Sequence, residues 1–111
     1  MKSGKEKRLE QLHNEIRQLN PEIPEQLNKM IKLYSQAQII IGYLDADALY
    51  EAGRIYADRK KVYAETIENE SGTVAEKQAK AELAVHELRI KEAEAKSESR
   101  KWQNLFDSYD N

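Results

Sequence analysis

The chain has 111 residues, a net charge of -2, 34% charged and 40% hydrophobic residues, and no cysteine. That length fits one domain, and the balanced charge argues against a general nucleic-acid binder and equally against a strongly acidic DNA mimic. Without cysteine there is no disulfide, thiolate nucleophile or sulfur-bound metal, and no apolar run approaches the roughly 20 residues that cross a bilayer.

The first residues are basic, with Lys2, Lys5, Lys7 and Arg8, but no apolar signal-peptide stretch follows, so a soluble cytoplasmic protein is expected. Residues 1–6 are polar and expected to be disordered. Leu9, Leu12, Ile16 and Leu19 recur at helical spacing, which predicts a short amphipathic helix over 7–19. Asn20-Pro21 stops it, and Pro21-Glu22-Ile23-Pro24 forms a rigid elbow. Pro24 suits the first position of a second helix, with Glu25 favourable in its first turn.

The second helix is expected over 24–69. Its stripe is Leu27, Met30 or Ile31, Tyr34, Ala37, Ile41, Leu44, Ala48, Ala52, Ile55, Arg59, Val62 and Thr66. Gly42 and Gly53 interrupt it and read as kinks or as places of close helix approach, with plain close packing favoured. Ser71-Gly72-Thr73 follows. Glycine ends one helix, and Thr73-Val74-Ala75-Glu76 reads as a capping box that starts the next. The third helix is expected over 74–110, with Ala81, Val85, Leu88, Glu92, Ala95, Ser99, Trp102, Phe106 and Tyr109 in its stripe and Leu83, Ile90 and Leu105 widening it. The fold class is therefore all-α: a long antiparallel helical hairpin, coiled-coil-like, with a short N-terminal helix, expected to assemble into a multi-helix bundle.

Ile39, Ile40 and Ile41 are consecutive, so at about 100° per residue they spread over most of a helix circumference. Tyr43, Leu49, Tyr50, Tyr56 and Tyr63 enlarge the belt. A helix apolar nearly all round is usually covered by more than one neighbour. Self-association of two hairpins is the expected cover. Two other readings stand: half-exposed tyrosines with the N-terminal helix over the isoleucines, or a docking face for a different protein. Ile39, Ile40, Tyr43, Tyr50 and Tyr56 are the candidates for association. Trp102, Phe106 and Tyr109 are candidates for a second contact.

Catalytic chemistry finds little support. His13 and His86 fall on different helices, and His86 with Glu82 supplies two ligands, short of a zinc site. Asp45, Asp47 and Glu51 read as a solvated acidic group, since no Glu-x-x-His pair accompanies them. The four glycines are isolated, so no phosphate-cradling loop forms. The chain reads as a non-enzyme without metal or cofactor. Arg54, Arg59, Lys60, Lys61 and Arg100 are candidates for contact with single-stranded nucleic acid, with Tyr56 and Tyr63 as stacking rings, though Asp58, Glu65, Glu68 and Glu70 dilute the cluster. Folding about the turn places Arg59 near residue 85 and Glu51 near 93, so Arg59 is expected to meet Glu82 or His86, and Glu51 to meet Lys91 or Lys96.

Thr73-Val74-Ala75-Glu76, Ala79-Lys80-Ala81-Glu82-Leu83, Leu88-Arg89-Ile90-Lys91-Glu92-Ala93-Glu94-Ala95 and Arg100-Lys101-Trp102-Gln103-Asn104-Leu105-Phe106 together resemble small helical early-region proteins of tailed bacteriophages. The resemblance covers residues 55–110, and its most distinctive part is the Arg-Lys-Trp-Gln-Asn stretch. It implies a phage setting in the host bacterial cytoplasm. The role it implies is that of an adaptor or inhibitor, with a protein partner of host or phage origin in DNA metabolism or defence. The alternatives are a recombination or replication accessory touching single-stranded DNA, and a purely structural coiled-coil oligomerisation module. No catalytic residue transfers from the resemblance.

Overall fold

The structure is a computed structural model that describes residues 2–109. Three helices form: α1 (Gly4–Arg17), α2 (Pro24–Asn69) and α3 (Val74–Ser108). α2 and α3 pack against each other as an antiparallel hairpin, and α1 is the short N-terminal addition. Residue 110, included in the expected third helix, lies outside the described residues.

α1 starts three residues before the apolar pattern requires, and residues 4–6 are helical where disorder is expected. The reason is a cap: the Glu6 N–H donates to Ser3 Oγ at 3.2 Å, and Ser3 has the extended backbone of an N-cap. The elbow after α1 is held by local bonds. Asn20 Oδ1 accepts from the Glu22 N–H at 3.0 Å, and Gln26 Oε1 from the Asn20 N–H at 2.6 Å. Between α2 and α3, Gly72 adopts φ 121°, which favours glycine. Thr73 Oγ1 then accepts from the Glu76 N–H at 3.2 Å and starts α3.

The chain divides into two compact units. The first comprises residues up to Ala46 with those from Ser99 onward. Here three helices meet, and large side chains form the core: Leu9, Leu12, Ile16, Leu33, Ile41, Leu44 and Trp102, with Ala37 among them. The isoleucine run divides its work in this unit. Ile41 is buried, Ile40 packs half-buried against the core, and Ile39 faces outward. α1 thus supplies part of the cover that the run demands.

The second unit, Asp47–Glu98, is two-helical. Its buried apolar residues are Ala48, Ala52, Ile55, Ala81 and Val85. Small side chains suit a seam where each helix has one neighbour. Leu83, expected to widen that seam, is instead 79% exposed, and Ile90 is also exposed. The pattern stops short of them because two helices bury only one stripe of each other.

No close packing within the chain accounts for Gly42 and Gly53, since a Cβ at either position meets nothing within 4 Å. Gly42→Ala and Gly53→Ala are each expected to stabilise the fold by about 0.5–1 kcal/mol in chemical denaturation, the helix preference of alanine over glycine. Gly72→Ala is expected to do the opposite, because a Cβ there comes within 2.5 Å of Glu76 Oε2 in a backbone conformation only glycine adopts easily. Leu12→Ala, at a fully buried site, is expected to cost about 2–5 kcal/mol.

Candidate functional site

The interface candidates separate by exposure. In the first unit Ile39 and Tyr43 are each 60% exposed. Lys5 Nζ lies 5.8 Å from the Tyr43 ring centroid. Phe106 is exposed at the rim of an open cleft of about 370 Å³ lined also by Ile41, Gly42, Asp45, Trp102 and Gln103. Trp102 itself is only 6% exposed and belongs to the core. Tyr109 is half-buried, hydrogen-bonded to His13 and in edge contact with Tyr34. Trp102, Ile40 and Tyr109 therefore hold the first unit together. In the second unit Tyr50 is 74% exposed and Tyr56 is exposed as well. Leu49 and Leu83 join them there, as Ile31 does in the first unit.

The basic candidates are largely occupied. Arg54 bonds Glu51 at 2.6 Å and reaches Asp58 at 3.5 Å. Lys61 approaches Glu65 at 4.0 Å. Lys60 and Arg59 both lie over the Tyr56 ring, at 5.6 and 5.1 Å from its centroid. Arg100 is exposed. Arg59 points into the helix seam, where its Nε donates to Glu92 Oε1 at 2.8 Å, and Lys96 joins Glu92 at 3.3 Å.

The expected partners of Arg59, Glu82 or His86, are thus replaced by Glu92. Glu82 pairs with Arg89 instead, and Glu51 with Arg54 rather than with Lys91 or Lys96. The cause is the tilt of helical side chains toward the N-terminus of their own helix. On α2 that direction leads away from the turn, and on α3 toward it. Arg59 and Glu92 lean toward each other, so a residue thirteen before Gly72 meets one twenty after it.

In the first unit Asp45, expected to be solvated, is not. It is half-buried and accepts from Ser99 Oγ at 2.5 Å and from Gln103 Nε2 at 3.3 Å. Ser99 in the apolar stripe of α3 is the sequence signal for this pair. Among the described residues no buried side-chain nitrogen or oxygen lacks a partner. No group of three or more His, Asp or Glu side chains among them is placed to hold a metal ion. No described helix is long and apolar enough to cross a membrane.

The Glu92 carboxyl is held below the usual carboxylate range, first by the hydrogen bond from Arg59 and then by that from Lys96. A carboxylate favoured in this way stabilises the fold above its ordinary value of 4.5 and loses that contribution as the pH falls below it. Glu92→Gln is expected to lower the melting temperature at neutral pH, because a mostly buried Arg59 loses its counter-charge, and to flatten the acid side of the stability profile. The double variant Arg59→Gln/Glu92→Gln is expected to recover part of the loss.

No protein-family model, no curated protein and no solved structure matches this chain.

Proposed function

We propose that the chain is a non-enzymatic helical adaptor or inhibitor that binds protein, including a second copy of itself, through the outward side of α2. The observation that carries this reading is the exposure of Ile39, Tyr43, Leu49 and Tyr50, each more than half accessible. Tyrosine is a common anchor of protein interfaces, where a large rigid ring adds contact area at little entropic cost. In the first unit the outward positions at helical spacing, Ser35, Ile39, Gly42, Tyr43 and Ala46, are all uncharged, and in the second unit so are Leu49, Tyr50, Gly53 and Ala57. The resemblance to phage early-region proteins suggests the setting: a host or phage factor of DNA metabolism or defence as the partner.

The competing reading, contact with single-stranded DNA, draws less support. Arg54, Arg59 and Lys61 are engaged by carboxylates on their own chain. Such pairs would have to exchange for phosphate contacts.

Light scattering coupled to size exclusion at micromolar concentration tests the first reading. The unaltered chain is expected to elute as an oligomer, and Tyr43→Glu or Tyr50→Glu to shift it toward monomer with its helix content unchanged. A strict monomer that captures no protein from a host lysate would sink the reading. In a titration of single-stranded DNA at two salt concentrations no binding is expected. Tight binding that weakens steeply with salt would establish the second reading in its place.

A further inference from the structure

The end of α3 is tied to α1 by a hydrogen bond that depends on a titratable ring. The Tyr109 hydroxyl meets His13 Nε2. The two rings stand edge to face at 5.8 Å, and Tyr109 makes a second edge contact with Tyr34 of α2 at 5.1 Å. One side-chain pair thus joins all three helices of the first unit. A neutral imidazole with its proton on Nδ1 accepts the phenol proton at Nε2, while an imidazolium has no acceptor there.

The groups around His13 favour the neutral ring. Arg17 lies one turn along α1, and Lys101 of α3 lines the other side of the imidazole. The acids of α1 on that side are occupied. Glu10 bonds Lys2 at 2.9 Å, and Glu6 Oε1 accepts from the Ser3 hydroxyl at 3.3 Å. From α2 the facing group is the Tyr34 phenol. Partial burial, and then Arg17, push His13 below its ordinary value of 6.5. Partial burial, and then Tyr34, push the Tyr109 phenol up to about 12. Both shifts favour the uncharged pair.

We propose that His13 and Tyr109 form a proton-operated latch, which holds the last turn of α3 on α1 at neutral pH and releases it when His13 takes up a proton. Protonation turns Nε2 into a donor, so the phenol can no longer donate to it. It also places an imidazolium in a half-buried site beside the cations Arg17 and Lys101, whose repulsion drives the release. Release opens the groove of about 590 Å³ beside the pair, which Ile16, Tyr34 and Leu105 also line. The unlatched form binds the proton more tightly than the latched one. Latch stability is therefore complete above 6.5 and is lost progressively as the pH falls below it, toward the lower value of the latched ring. At the alkaline end the latched phenol keeps its proton between 10 and about 12 while a released one does not, so the latch loosens again above 10.

Amide hydrogen exchange of the full chain, corrected for intrinsic rates and followed between about pH 5 and 8, tests the proposal. Protection at residues 105–109 is expected to fall on acidification and to return on neutralisation. His13→Gln, whose side-chain oxygen accepts the phenol proton but does not titrate, is expected to keep protection at every pH. Tyr109→Phe is expected to lose it at every pH. Acid loss that persists unchanged in His13→Gln would overturn the latch, as would full neutral protection in Tyr109→Phe. If Tyr109→Phe unfolds, the His13→Gln arm decides alone; if His13→Gln unfolds, imidazole titration by NMR in a His86→Gln background decides. His13 in the intact chain is expected to titrate below 6.5, and to move upward in Tyr109→Phe. An unmoved titration would also overturn the proposal.

Discussion

Two α-helices bury only one stripe of each other, and this limit shapes both units of the chain. Where α1 adds a third helix, the core accepts Leu, Ile and Trp side chains. Where α2 and α3 have only each other, alanines and one valine fill the buried positions beside Ile55. Apolar burial contributes about 25 cal/mol per Å², so a seam of alanines gains less per turn than the three-helix core. The difference between the units follows from how many neighbours each stretch of α2 has.

A thin apolar seam specifies register weakly, because alanine against alanine fits at several offsets. Polar pairs supply what the alanines lack. Arg59 with Glu92 does so in the alanine seam, and Asp45 with Ser99 and Gln103 adds the same kind of check beside the larger core of the other unit; each satisfies a group that a sliding helix would leave unpaired. Losing a partner from a buried charge costs more than forming the pair gains. These bonds therefore select one alignment of the helices more than they add to stability.

The turn and the middle of the α2 stripe were legible in the sequence because glycine, a capping threonine and 3.6-residue periodicity act locally. At the start of α2, by contrast, Leu33 is buried and the expected Leu27, Ile31 and Tyr34 are exposed, as is Phe106 in α3. Ala37, Ile41, Leu44, Ala48, Ala52 and Ile55 lie buried where the spacing puts them. The partner of Arg59 was not legible, because it depends on the lean of two side chains from facing helices rather than on residue counting. Trp102 shows a similar limit. Read as a candidate contact from its place in the α3 stripe, it is buried in the core that α1 and α2 build around it. The His13–Tyr109 pair spans 96 positions, and no local pattern links them.

The outward side of α2 is the feature that internal packing does not account for. Gly42 and Gly53 each cost the helix about 1 kcal/mol relative to alanine, and neither makes room for anything within its own chain. Ile39, Tyr43 and Tyr50 likewise gain little from folding, since most of their surface stays in water. The basic groups of α2 differ: Arg54 and Lys61 are balanced by carboxylates of their own helix in exposed pairs that contribute little, and Arg59 is held in the seam by Glu92. An incoming anion would have to displace those carboxylates for a small return, whereas an incoming apolar surface gains the full transfer energy of rings already presented to it. On these magnitudes the rings of α2, rather than its arginines and lysines, are the groups through which binding would be strongest.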